Sequence, residues 1–270
     1  MKTLLNACIA ILAAAITAFL ILELLAVCKM FNEKSRSKLF RTIDSEEAAE
    51  NGDSARIASG VNVYNLIILD ESGSMQFIRE PALNGANETI RTIQAAQGKN
   101  PEQKQFLTFV SFSEYRAERF RVLIDNEPID SVKPLTYADY LPRGVTPLLD
   151  AMGYSLNKLE RIVTDEDMVL VTIITDGYEN SSKDYSRADI KALVKRLSDK
   201  DWAFAYIGAN QEAIEVAGSM GINNALNFTA DKNGTDEMWR KERDSRIRYY
   251  SRERAGISKE RLKEDYFSED

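Results

Sequence analysis

Strand-like apolar runs alternate with helix-like periods along most of this chain, and all of them except RFRVLID hold so few charged residues that they read as buried on both sides. They read VNVYNLIILD, FLTFVSFS, RFRVLID, MVLVTIITD, WAFAYIGA and ALNFTA. Between and after them the apolar spacing predicts helices near residues 82–97, 147–162, 184–197 and 211–218, with a closing helix beyond Gly234. Buried strands separated by helices indicate an α/β fold. We expect a Rossmann-like, mostly parallel sheet with helices on both faces, right-handed crossovers, and ALNFTA as an edge strand.

Oxygen side chains cluster where several of these runs end. Asp70, Ser72 and Ser74 lie in ILDESGSM, Thr146 in GVTPLLDA, and Asp176 in IITDG. In an open α/β sheet such loops gather at the carboxyl ends of the strands, where these folds bind ligands. Carboxylates mixed with neutral hydroxyls suit a hard cation that prefers oxygen and keeps some of its waters. With only two carboxylates nearby, the ion's charge is poorly neutralised, so an incoming anionic oxygen is attracted.

The segment LDESGSM, followed by GVTPL and ITDG in that order, resembles the von Willebrand factor type A (vWA) domain with its metal-ion-dependent adhesion site, as in membrane-anchored bacterial members of that family. The resemblance covers roughly residues 61–232. It implies that Asp70, Ser72 and Ser74 (the DxSxS element), Thr146 (the threonine loop) and Asp176 (the later aspartate) hold Mg2+, with Mn2+ or Ca2+ as alternatives. It also implies that the ion bridges to an Asp or Glu of a partner protein. The expected function is therefore a membrane-tethered, Mg2+-dependent protein-binding module that assembles complexes, and not an enzyme. One alternative is an outward-facing adhesion module. Another is a phosphatase-like hydrolase with Asp70 as nucleophile, but such enzymes place an acid two residues later, where this chain has Ser72.

Residues 4–28 form an apolar stretch long enough, at about 1.5 Å per residue, to cross a hydrocarbon core of about 30 Å. We read it as one transmembrane helix rather than a cleaved signal, because the run exceeds a usual signal core and Val27 stands where a lipoprotein signal would want a small residue. Lys29, Lys34, Arg36, Lys38 and Arg41 follow it while Lys2 alone precedes it. The positive-inside rule then places the globular part in the cytoplasm, with the outward-facing topology as the alternative. Residues 29–60 turn polar and read as a tether, residues 61–250 as the vWA domain, and residues 251–270 as a charged tail.

Composition closes off other classes. The chain has no histidine, which removes imidazole bases, Ser-His-Asp triads and His-containing metal sites. Its two cysteines, Cys8 and Cys28, both lie in the apolar stretch, so the globular part has no disulfide or thiol nucleophile. Neither GxGxxG nor a P-loop occurs, which argues against a nucleotide. The Arg-rich carboxyl-terminal region is interleaved with Glu and Asp, and reads as a solvated helix with i to i+4 ion pairs rather than a nucleic-acid surface. Tyr178, Glu179 and Asn180 have two readings: contacts to a partner, or a turn in which Asn180, Ser181 or Ser182 caps the following helix.

Overall fold

The computed structural model describes residues 60–115, 118–209, 212–254 and 266–267. The expected membrane span, nearly all of the tether and most of the charged tail lie outside the described residues. Among those described, no helix is long and apolar enough to cross a membrane.

Six strands form one sheet: β1 (Val61–Asp70), β2 (Gln103–Tyr115), β3 (Glu118–Pro128), β4 (Met168–Thr175), β5 (Ala203–Gly208) and β6 (Asn224–Asn227). Their order is β3-β2-β1-β4-β5-β6. All neighbouring pairs are parallel except β2 and β3. Only residues 116 and 117 separate those two, too few for a crossover, so β3 must return antiparallel. β6, which covers only the first three residues of ALNFTA, takes the edge position expected of it.

The near-continuous apolar runs are explained by a two-sided core. Leu66 and Ile68 of β1 pack under α2 (Leu148–Glu160), α3 (Arg187–Ser198) and α4 (Ala213–Ser219). Ile67 and Leu69, pointing the other way, pack under α1 (Arg79–Lys99) and α5 (Lys232–Arg254). Successive side chains alternate between faces, so a strand covered on both sides must be apolar at every step. The closing helix begins at Lys232, earlier than its sequence suggests. The helix cap lies elsewhere than expected: Ser186, not Asn180, Ser181 or Ser182, opens α3, in a reciprocal capping box with Asp189.

Helices α1 and α5 meet at Gly85. A Cβ added there would lie 2.1 Å from the Trp239 ring of α5, so only glycine lets the indole lie against the α1 backbone. Gly85→Ala gains about 1 kcal/mol of helix propensity and overpacks a buried ring at a cost of about 1–3 kcal/mol. Net destabilisation is expected, read as a lower denaturant midpoint; an unchanged or raised midpoint would show that Trp239 moves aside freely.

Candidate metal centre

The central strands β1 and β4 deliver the two aspartates to the same end of the sheet. Leu69 pairs with Ile174, so Asp70 and the Thr175–Asp176 pair leave their strands side by side. Asp70 is fully buried. One of its carboxylate oxygens accepts the backbone N–H of Ser72 at 2.7 Å, and the other accepts the Thr175 hydroxyl at 2.6 Å. Its own carbonyl accepts the Tyr140 hydroxyl at 2.7 Å.

After β1 the chain enters a 3-10 turn, Gly73–Ile78, which brings Ser72 and Ser74 round to face β4. The two hydroxyl oxygens lie 3.1 Å apart, and Ser74 donates to Asp176 at 2.6 Å. Thr146 arrives from a separate loop fixed by Gly144, whose φ of +77° is a left-handed conformation that other residues rarely adopt. A Cβ at Gly144 would also lie 2.2 Å from the Glu114 carbonyl oxygen. The GVT sequence thus needs its glycine to turn beside β2.

Gly177 gives the clearest measure of convergence. A Cβ placed on it would lie 3.2 Å from the Thr146 hydroxyl oxygen, 3.6 Å from a carboxylate oxygen of Asp70 and 3.6 Å from the Ser74 hydroxyl oxygen. With Ser72 and Asp176 bonded to Ser74, all five residues singled out in the sequence gather at one place. Among the described residues no group of three or more His, Cys, Asp or Glu side chains is placed to hold a metal, so this cradle relies on hydroxyls to complete two carboxylates. Such a donor set fits a hard divalent ion that retains water.

The surrounding loops are braced by residues the sequence reading left undecided or passed over. Asn180 accepts the N–H of Thr146 at 2.9 Å through its side chain and donates its own N–H to the Thr146 carbonyl at 3.2 Å. Glu179 accepts the N–H groups of Leu149, Ser181 and Ser182. These two are structural braces, tying the aspartate loop to the first turn of α2. Tyr178, in contrast, is exposed, and its hydroxyl donates to Glu212.

Asp150, fully buried, accepts the N–H groups of Lys183, Asp184 and Tyr185 and pairs with Arg119. Burial pushes its carboxyl up, but those amides and the guanidinium outweigh burial and hold it below the usual range. An acid in the first turn of a helix is a legible feature, but its three amide partners come from residues 183–185 ahead of α3 and not from α2 itself. Thr175 was legible too, as the residue before Asp176 on the same strand end.

Burial, reinforced by the Asp176 charge, raises the Asp70 carboxyl to about 7 against the lowering effect of its hydrogen bonds, from an ordinary 3.8. Asp176 is also raised, chiefly by burial, with the Ser74 hydrogen bond opposing. A carboxyl raised on folding favours the folded state while protonated, and that contribution is lost as pH rises through the folded value. The metal-free chain is therefore expected to melt at a lower temperature at about pH 8 than at about pH 5, and added Mg2+ to raise the melting temperature more at the higher pH. Thermal unfolding with EDTA or Mg2+ checks this; equal Mg2+ shifts at both pH values would contradict it.

No family model matches the chain, and no curated protein matches it. Solved structures do. The PilB minor pilin from Streptococcus sanguinis aligns at 11% identity and a TM-score of 0.52, over 69% of this chain and 61% of that one. The pilus adhesin SpaC from Lactobacillus rhamnosus GG, in its open conformation, aligns at 9% identity and a TM-score of 0.50, over 70% of this chain and 30% of that one. A von Willebrand factor type A structure from Catenulispora acidiphila aligns at 14% identity and a TM-score of 0.45, over 68% of this chain and 42% of that one. The likeness is one of fold. This chain spans less than two thirds of the length of each of these three structures.

Proposed function

We propose that this chain is a vWA-type protein-binding module, tethered to the membrane by residues 4–28, in which Asp70, Ser72, Ser74, Thr146 and Asp176 hold Mg2+ directly or through water. The observation that carries this reading is the convergence of Thr146, Asp70 and Ser74 oxygens beside Gly177. When bound, the ion supplies an electrophilic position that accepts a carboxylate oxygen from an Asp or Glu of the partner. Asp70 anchors that charge from a buried position, its orientation set by Ser72 and Thr175. Asp176, partly exposed, lies nearer the solvent side of the cradle, and Asn180 fixes the height of Thr146.

In this reading Asp70 is a ligand and not a nucleophile. The residue two places on, where such a nucleophile needs an acid, is Ser72. We place the domain in the cytoplasm on the strength of the basic residues after the apolar stretch.

The test is capture of partners from solubilised membranes and cytosol, comparing Mg2+ with EDTA and the wild-type chain with a Ser72→Ala/Ser74→Ala variant. A partner lost in both EDTA and the variant supports metal-bridged binding. Partners retained in all conditions would remove it. A topology reporter fused after Asp270 tests orientation separately: activity from an exported reporter alone would replace the cytoplasmic assignment with the outward-facing adhesion module.

A further inference from the structure

The loops that bring the five oxygen-bearing residues together also expose large apolar side chains. Phe77, three residues after Ser74, is 91% exposed, and Tyr178, two residues after Asp176, is 55% exposed. Val145, next to Thr146, is 43% exposed, and Tyr137, beside the start of α1, is 53% exposed. Phe77 and Tyr178 follow β1 and β4, while Tyr137 and Val145 both belong to the connection between β3 and α2 that carries Thr146. Isolated apolar residues on a surface are ordinary, but apolar groups ringing one polar cradle are the pattern of an interaction site.

Two arginines organise this ring. The Arg79 guanidinium donates to the Tyr137 and Tyr140 carbonyls and lies 5.0 Å from the centre of the Tyr137 ring, which holds that loop in place. The Arg143 guanidinium, exposed, lies 4.3 Å from the centre of the Tyr115 ring, and makes no ion pair among the described residues. A cation held over an aromatic face beside a cation-binding cradle presents positive charge to an incoming ligand.

Resting on the metal-bridged reading, we propose that the partner's segment is an acidic residue flanked by large apolar residues: its carboxylate enters the cradle, its apolar neighbours pack on Phe77 and Tyr178, and a second acid pairs with Arg143. Phe77 is the expected anchor. An aromatic ring this exposed gains most from burial in an interface, and energetic hot spots are aromatic or arginine side chains near an interface centre.

The probe is a displayed peptide library with a fixed aspartate and four randomised residues on each side, selected on the purified full chain in Mg2+. Enrichment of Leu, Ile, Phe or Trp next to the aspartate is expected. A synthetic peptide of the selected sequence should lose at least about tenfold in affinity on Phe77→Ser, with Mg2+ affinity unchanged, and should not bind in EDTA. Selected peptides that need Mg2+ yet show no apolar preference, or bind Phe77→Ser equally well, would overturn the apolar-rim proposal and leave metal bridging intact. Recovery that survives both EDTA and Asp70→Ala would overturn metal bridging, and the rim proposal with it. A library yielding no enriched sequence would overturn the assignment to a linear acidic segment.

Discussion

Replacing Asp70 with asparagine is expected to lower Mg2+ affinity by more than the ~10–100-fold that follows from losing a residue behind the metal ligands, while making the metal-free protein more stable. The two effects share one cause. Asp70 is a fully buried carboxyl raised to about 7, so at neutral pH and above the metal-free fold carries a poorly tolerated negative charge. Asparagine keeps the size and can still bond to the Ser72 N–H and the Thr175 hydroxyl. At about pH 8 the gain should be on the order of 2–4 kcal/mol in EDTA, and Mg2+ should no longer add to it. Calorimetric titration and chemical unfolding read the two halves separately. An unchanged Mg2+ affinity would remove Asp70 from the ligand set.

Arg246→Leu is expected to be the most damaging substitution away from the proposed metal site. This arginine is fully buried on the α5 face of the sheet, where it pairs with Glu242 at 2.6 Å. It donates to Asn65 on β1 at 2.9 Å and to Thr172 on β4 at 2.8 Å. Tyr250 and Tyr266 complete the network, each donating from its hydroxyl, to Asn65 and to Glu242 respectively. Removing the guanidinium leaves Glu242 as an unpaired buried carboxylate, one of whose oxygens already has no partner among the described residues. A loss of about 3–5 kcal/mol is expected in denaturant unfolding. The double variant Arg246→Leu/Glu242→Met should regain much of it, because the cost lies in the stranded charge rather than in the lost attraction. A single variant that loses under about 1 kcal/mol would mean that water or a shifted helix relieves Glu242.

That network shows where sequence reading ran short. The charged carboxyl-terminal region was read as solvated, and the Lys241–Glu237 pair, both side chains partly exposed, fits that description. Glu242 and Arg246 do not. They lie on the same stripe as the buried Trp239 and Tyr250, at steps of three and four residues, so helical spacing marks them as inward-facing despite their charge. What hid them is that their partners come from elsewhere: Asn65 sits in a strand that reads as plain core, and Tyr266 lies 24 residues beyond Glu242. A pattern along one element cannot reveal a polar group satisfied by another.

The strands were legible for the opposite reason. Burial on both faces leaves its mark along β4, β5 and most of β1, and the alternation of Leu66 and Ile68 with Ile67 and Leu69 needs no knowledge of the neighbours. The five oxygen-bearing residues were legible because each ends or borders an apolar run. Their bracing was less so. Asn180 and Glu179 each offered two roles in sequence, and only the distances to Thr146 and Leu149 decide for the structural one. The cap of α3 shifted to Ser186 because Asn180 and Ser182 were already committed to the loop.

The most direct measurement is a crystal structure of the protein grown with Mn2+, using the metal's anomalous signal to locate it. The expected result is a single strong peak bounded by Asp70, Ser72, Ser74, Thr146 and Asp176, with water or a carboxylate from a neighbouring molecule in the remaining position. A peak coordinated by other residues, or none at this place under saturating Mn2+, would contradict the metal-bridged account of this site.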